Sequence, residues 1–521
     1  MSRAIREIRL KLTIEPHDVH RLAQYLERFS AGDPRKQTVS SVYFDTPGLA
    51  LHKGGLSLRI CGTGKRPTQI IQRAGAQAVG LFDSGKWECD IRGSQPDLSK
   101  ARRTALEPLL NGKSREELRP VFETRIRSTI YQFEWAGSRF EATLDQGVID
   151  SGKRRASLAQ LDLKLAHGEY SRLFGLTKAL GEIAPIHLCI KSEADLGYAL
   201  VRNDRSALEV AATVHVSRTL STEAAFRVIG CACLRQLLAN EIHMLAGNGE
   251  ALHQMRVGLR RLRAAMSVFS EIVSDRHSQR IKAELRWIAA ALGPARDLDV
   301  FLTEVLIPLR QQHGNEPGVI AICRDFEHRR ANAYEDAVAA VRSRRFRSLA
   351  LDALGWIETG PWAESDDELL RLRREQSIAN HAAEEIARRR RKLRMRGKTL
   401  QQLGGAERHR LRIRAKKARY AIEFFADLFT QERQGKRRRA ALSALKDLQG
   451  ALGSLNDIAA REALTSHIVT SRPSASRKAS GVAKAFAAGM IFGAEQAHVA
   501  QLLNAAERAH QRFLEVRPFW K

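Results

Sequence analysis

The sequence predicts an α+β chain in two parts: an N-terminal antiparallel barrel of eight strands, then an all-α domain made of two helical bundles. Three observations predict it. Charged and apolar residues alternate with period two through residues 1–204. A helical period with short Gly- and Pro-marked breaks fills residues 221–521. Within that helical part, one basic motif occurs twice.

The first strand reads Glu7-Ile8-Arg9-Leu10-Lys11-Leu12, with charges on one face and apolar side chains on the other. Similar alternation marks Ser41–Phe44, Leu56–Cys61, Thr68–Gln72, Trp87–Ile91, Val121–Phe133, Arg139–Leu144 and Ser157–Leu165. Charges on one face of so many strands call for a closed antiparallel barrel with a polar interior. Residues 17–30 and 169–183 have the pattern of short amphipathic helices covering it. Residues 205–220 read as a linker. Ser221 or Thr222 then caps a helix beginning Glu223-Ala224-Ala225. Breaks at Gly247-Asn248-Gly249, Gly293-Pro294, Gly360-Pro361 and Gly404-Gly405 divide the rest of the chain into helices. The repeat divides this domain into halves at 221–365 and 366–521, related by a pseudo-twofold axis.

Composition narrows the function. The 521 residues include 86 Lys+Arg against 58 Asp+Glu, a net charge of +28 with a pI near 10.4. The excess points to a polyanionic partner, although a GC-rich genome also favours arginine over lysine. With 44% hydrophobic residues the chain is globular, not disordered. No apolar run approaches the ~18 residues of a membrane span, and the charged start lacks the apolar stretch of a signal peptide. The expectation is a cytoplasmic protein with no membrane partner. Cys61, Cys89, Cys189, Cys231, Cys233 and Cys323 form no C-x-x-C pair and read as reduced thiols.

The repeated motif carries the chemistry. His253-x-x-Arg256-Val257-x-x-Arg260-Arg261-x-Arg263 recurs as His409-x-x-Arg412-Ile413-x-x-Lys416-Lys417-x-Arg419. At about 100° per residue, His253, Arg256, Arg260 and Arg263 fall within an arc of about 80°, a column about 15 Å long. A single basic stripe is usually a solvated helix face. Two with identical spacing invite an anion as counter-charge. Arginine offers phosphate a bidentate fork, lysine a compact charge, and histidine two donors once protonated. Downstream, Leu292-Gly293-Pro294-Ala295-Arg296-Asp297 recurs as Leu452-Gly453-Ser454-Leu455-Asn456-Asp457. Here Gly reads as a helix end and Asp297 and Asp457 as caps of the next helix.

On these residues the helical part resembles a CHAD domain, a duplicated helical bundle associated with polyphosphate binding. The resemblance implies polyphosphate contacts from His253, Arg256, Arg260, Arg261, Arg263, His409, Arg412, Lys416, Lys417 and Arg419. The first part resembles a CYTH domain of the triphosphate tunnel metalloenzymes. Glu7–Lys11, Tyr43-Phe44-Asp45-Thr46-Pro47, Leu58-Arg59-Ile60, Thr124-Arg125-Ile126-Arg127 and Leu144-Asp145-Gln146-Gly147 carry that likeness. It implies an eight-stranded tunnel that binds triphosphate with Mg²⁺ or Mn²⁺.

This chain departs from the family pattern where it matters. Glu-x-Glu-x-Lys becomes Glu7-Ile8-Arg9-Leu10-Lys11, and a late strand usually rich in glutamate reads Gln160-Leu161-Asp162-Leu163-Lys164. Gln72, Ser84, Lys86 and Glu193 stand where the family has other residues; at Glu193 the family has a lysine. Cations in place of carboxylates weaken divalent-metal binding. The reading is a catalytically impaired tunnel that still holds an anion through Arg9, Lys11, Arg59, Arg125 and Arg127. Two alternatives stay open. The tunnel is only a scaffold, or it is an active inorganic triphosphatase with Glu7 and Lys11 catalytic, Glu7 and Asp162 on metal, and Glu141 and Asp145 nearby. The expected partner is inorganic polyphosphate, with location on polyphosphate granules. Aromatic residues, at 6%, are too few for a base-stacking platform, which argues against nucleic acid.

Overall fold

The computed structural model describes residues 9–62, 66–73, 79–81, 85–101, 104–109, 117–204, 208–210, 213–396, 400–470 and 498–520, with positions 486, 489 and 493. Two compact units form. One comprises residues 1–208 with the helix Arg344–Thr359; the other comprises 209–343 and 360–521. No described helix is long and apolar enough to cross a membrane.

In the first unit the period-two segments become strands: β1 (Arg9–Ile14), β2 (Arg35–Asp45), β3 (Leu56–Gly62), β4 (Thr68–Arg73), β5 (Lys86–Asp90), β6 (Arg119–Trp135), β7 (Ser138–Asp150), β8 (Arg155–His167) and β9 (Ile186–Leu188). They make one antiparallel sheet in the order β5-β4-β3-β2-β6-β7-β8-β1-β9. This corrects the expected closed eight-stranded barrel: among the described residues there are nine strands, and no described ladder joins β5 to β9. The ninth strand is only three residues long, too short to show an alternation in sequence. Residues 79–81, between β4 and β5, nevertheless reach β1. Leu81 bridges Leu10, and Gly80 accepts from the Lys11 N–H at 2.7 Å. Gly80 has φ +68°, and a Cβ there would lie 2.8 Å from Leu10 Cδ1, so no other residue fits without strain.

Register separates the two faces. Leu10, Leu12, Leu161, Leu163, Leu144 and Phe140 share one face and are buried. Elsewhere on this face, Phe44, Leu58, Ile60 and Ile71 form an apolar cluster with Leu51 and Leu106. The other face is mostly polar: Arg9, Lys11 and Thr13 on β1 oppose Lys164, Asp162 and Gln160 on β8. Its remaining area is apolar, where Tyr43, Phe122, Ile126 and Ile149 pack against Tyr198 of the helix Glu193–Arg202. Asp45, fully buried, accepts from the N–H groups of Thr46, Leu51 and His52 at 2.7–3.0 Å. The Tyr43–Pro47 segment therefore ties a strand end to a helical turn. The helix Arg344–Thr359 packs on the helix Ser171–Ile183, pairing Arg344 with Glu182 and Lys178 with Asp352.

In the second unit the helix Thr222–Leu238 packs on Gly249–Val268, and Ile378–Arg396 packs on Gly405–Phe424. These are the two copies of one hairpin, and the helices Gly249–Val268 and Gly405–Phe424 also touch each other. Equivalent residues of the copies meet. Ser221 bridges Ser377, the Thr222 N–H donates to Gln376 O at 2.9 Å, and the Ile378 N–H donates to Leu220 O at 3.1 Å. The Phe269 and Phe425 rings lie 5.9 Å apart.

Candidate functional site

The basic stripes lie on the two touching helices. His253, Arg256 and Arg260 are half-buried on Gly249–Val268, as are Arg412, Lys416 and Arg419 on Gly405–Phe424. The two columns act on each other electrostatically. Burial, then Arg412 and Arg260, pushes the Lys416 ammonium down to about 8. Burial lowers Arg256 too, with Asp297 opposing and Arg260 and Arg296 adding to the fall. The His253 imidazole falls below its ordinary value through burial and then Arg296, so it is biased towards neutrality without an anion. A further group lies beyond: burial, then Arg389, Arg263, Lys392 and Lys282, lowers Lys417, and burial with Arg286 lowers Arg263. The sequence singled out none of Arg296, Lys282, Arg286, Arg389 and Lys392 as ligands, because they come from other helices and only the tertiary fold assembles them.

The downstream repeat explains itself differently than expected. Asp297 lies inside the helix Gly293–Phe301 and Asp457 inside Glu432–Thr470, so neither caps a helix. Both glycines lie against the first arginine of their copy, and Gly453 is the tighter contact. A Cβ on Gly293 would lie 3.4 Å from Arg256 Nη1, and one on Gly453 would lie 3.2 Å from Arg412 Nη2. Asp297 sits 3.7 Å from Arg256, while Asn456 bonds His409 Nδ1 at 2.8 Å. Burial, opposed by Arg256 and reinforced by Asp457, raises the Asp297 carboxyl. In both copies the first arginine keeps a buried Nε–H with no hydrogen-bond acceptor, on Arg256 and on Arg412. One predicted ligand is elsewhere. Arg261 is buried, donates to Gln236 Oε1 at 2.7 Å and lies over the Phe424 ring, so it is part of the packing between helices.

The polar face of the sheet has a different balance. Lys11 Nζ stands 4.0 Å from Asp162 Oδ2 and 3.7 Å from Glu193 Oε1. Arg59 Nη1 stands 3.6 Å from Glu193 Oε2 and donates to Tyr43 Oη at 2.7 Å. Burial acts to lower Lys11, but Glu193 and then Asp162 outweigh it and hold it above its usual value. Burial raises the Tyr43 hydroxyl, with Arg59 opposing. Burial also raises Asp162, and it lifts Asp145 to about 6 despite the Ser128 hydroxyl donating to Asp145 at 2.5 Å. Among the described residues, four buried polar atoms on this face have no hydrogen-bond partner: Arg59 Nε, Thr124 Oγ1, Gln160 Oε1 and Asp162 Oδ1. Arg9 lies directly across from Lys164, as cross-strand neighbours. Arg125 and Arg127 do not belong here: register places them on the opposite face, exposed beside Val148. Glu7 and Ser84 lie outside the described residues. Glu141 is reached by Gln132 at 3.4 Å.

The described residues of this face offer little to a divalent ion. Among the described residues no three His, Cys, Asp or Glu side chains converge as metal ligands. The nearest carboxylates, Asp162 and Glu193, are already answered by Lys11 and Arg59.

The fold and these sites define a class: a polar-faced antiparallel sheet and a duplicated basic helical unit in one chain. Residues 6–195 match the CYTH domain and residues 229–466 the CHAD domain. The chain belongs to the two-domain CYTH–CHAD family. It is 26% identical over 196 residues to an inorganic triphosphatase of Haemophilus influenzae, spanning 38% of this chain and 55% of that relative. The match thus takes in about half of the relative's length. Among solved structures, a CHAD domain from the plant Ricinus communis is similar at 26% identity and TM-score 0.48, covering 58% of this chain and 96% of that one. A putative adenylyl cyclase from Hippeastrum, described as having a dominant triphosphatase activity, is similar at 16% identity and TM-score 0.29, covering 39% and 98%.

Proposed function

We propose that this protein binds long-chain inorganic polyphosphate along the paired basic stripes of its helical unit. The observation that carries this reading is that cations are half-buried and crowded on two equivalent helices: burial first, then Arg412 and Arg260, brings Lys416 down to about 8. A polyanion lying there relieves the repulsion and offers acceptors to the orphaned Nε–H groups of Arg256 and Arg412. His253, Arg260, Arg263, His409, Lys417 and Arg419 add donors along the path. Arg261 supports the helix beneath it. Reciprocal contacts between equivalent residues, Thr222 with Gln376 and Ile378 with Leu220, support two bundles related by a pseudo-twofold axis. The protein acts in the cytoplasm, on polyphosphate granules.

In this reading the sheet is a tunnel-type wall that no longer runs metal-dependent hydrolysis. The support is Arg9 opposite Lys164, where carboxylates are needed to hold a metal. The competing reading is an inorganic triphosphatase in that tunnel. It is favoured by the Haemophilus relative and by the unpartnered polar atoms on the face. Mg²⁺ or Mn²⁺ bound there, by Glu7 and Asp162, would neutralise phosphate charge and activate water. Calorimetric titration with long-chain polyphosphate, beside phosphate release from tripolyphosphate with Mg²⁺ or Mn²⁺, separates the two. Saturable binding with weak or no release is expected. Robust turnover that disappears in Glu7→Ala would establish the enzyme instead.

A further inference from the structure

The cations on the sheet's polar face already hold an anion supplied by the chain. Glu193 opens the helix Glu193–Arg202, and a capping box fixes its place: the Ser192 N–H donates to Asp195 Oδ2 at 2.9 Å and the Asp195 N–H donates to Ser192 Oγ at 3.2 Å. Tyr198 of the same helix is buried against the rings of Phe122 and His52, which prevents the helix from rolling. The Glu193 carboxylate thus lies between Lys11 and Arg59, one oxygen at 3.7 Å from the ammonium and the other at 3.6 Å from the guanidinium. Two oxygens of one group spanning two cations is how a phosphate would sit. The contacts exceed hydrogen-bond length, and Arg59 Nε, buried, has no acceptor at all. The carboxylate supplies charge to this seat without filling its donors.

We propose that Glu193 is the specificity-determining residue of this face: it stands in for a phosphate group on Lys11 and Arg59 and turns the seat against polyphosphate anions. Lys11 and Arg59, with Arg9 acting on Asp162, are met here by three carboxylates, Glu193, Asp162 and Asp145, so an incoming triphosphate finds the cations of its seat already balanced and meets the Glu193 charge between them. Removing the Glu193 charge leaves the two donors in place, still held by Tyr43 and by the sheet register. The inference rests on the reading of this face as an anion seat and is independent of the helical stripes.

Titration of the full chain with tripolyphosphate, in the absence of divalent metal, tests it. Glu193→Gln keeps the shape and the capping box. It is expected to gain a binding site absent from wild type, with affinity there raised about tenfold or more, and Glu193→Lys to gain more still. The gain should vanish in Glu193→Gln combined with Lys11→Met, which places the new site on this face. Lys11→Met alone is titrated beside them, to read whether the wild-type face holds tripolyphosphate at all. Far-UV circular dichroism and melting of each variant exclude a folding defect, and Glu193→Ala serves if the glutamine variant melts early. Unchanged binding in Glu193→Gln would overturn the proposal. If Lys11→Met alone then weakens binding, the face is an anion seat that Glu193 does not block. If it does not, the anion-seat reading fails as well.

Discussion

Both units place cations where a phosphate could meet them, and they treat those cations in opposite ways. On the sheet, Lys11 and Arg59 are answered by Asp162, Glu193 and the Tyr43 hydroxyl, and Lys11 is held above its usual pKa. On the stripe helices, Arg256 has Asp297 at a similar distance, 3.7 Å, yet burial with Arg260 and Arg296 lowers it, and Lys416 is driven down to about 8 by burial and neighbouring cations. A cation whose charge the fold stabilises is part of the structure. One whose charge the fold disfavours is a candidate to meet an anion from outside. The direction of the pKa shift separates the two regions.

The largest expected effect is on salt dependence. If the stripes neutralise phosphates, log affinity for polyphosphate falls against log salt by about 0.7–0.9 per phosphate engaged. Several contacts then cost orders of magnitude between low and physiological salt, measurable by titration at a few ionic strengths. A flat response would break the comparison, because it implies a small ligand held by other means.

Next in size is proton linkage at Lys416. Its folded pKa lies near 8, below the ordinary 10.5, so the folded protein binds fewer protons than the unfolded chain between those values. Stability from this residue therefore rises as pH increases from about 8 to 10.5. Bound polyphosphate favours the charged form. Binding at pH 8.5 should take up protons, seen as a dependence of calorimetric enthalpy on buffer ionisation, and Lys416→Met should abolish that uptake.

Gly453 sharpens the comparison within one stripe. It lies inside a helix and leaves space for the Arg412 guanidinium. Gly453→Ala should raise stability by about 0.5–1 kcal/mol through helix propensity, while displacing the guanidinium and weakening polyphosphate binding several-fold. Thermal melting and titration would read the two signs separately. Equal behaviour of variant and wild type in binding would mean the glycine has no part in placing Arg412.

The smallest effect is on the sheet. Burial holds Asp145 at about 6, above the ordinary 3.8, so its contribution to stability is present at low pH and is lost as pH rises through 6. Asp145→Asn should therefore gain on wild type between pH 4 and 7, by ~2–4 °C in melting temperature at the upper end.

Much of this was legible in the sequence. Strict alternation along β6 and β7 marked both strands, and the spacing of the duplicated motif located both stripe helices. Alternation puts Arg125 and Arg127 on one face of β6, but only the pairing of Ser128 with Asp145 shows that it is not the face of Lys11. On a helical wheel Arg261 points about 80° from His253, away from the stripe. Other features were not legible. Whether the helix Arg344–Thr359 joins the first unit, whether Arg296 or Lys392 reaches a stripe, and whether Glu193 lies between two cations depend on contacts between segments far apart in sequence. Helix periodicity reports which face is buried but not what meets it.

The central claim is that the helical stripes, and not the sheet, hold polyphosphate. The most direct test compares two variants by calorimetric titration with long-chain polyphosphate, each checked for folding. One carries Arg256→Ala, Arg260→Ala, Arg412→Ala and Lys416→Ala; the other carries Lys11→Met and Arg59→Met. The account predicts that the first loses most of its affinity and the second keeps that of wild type. Wild-type affinity in the first, or its loss in the second alone, would contradict it.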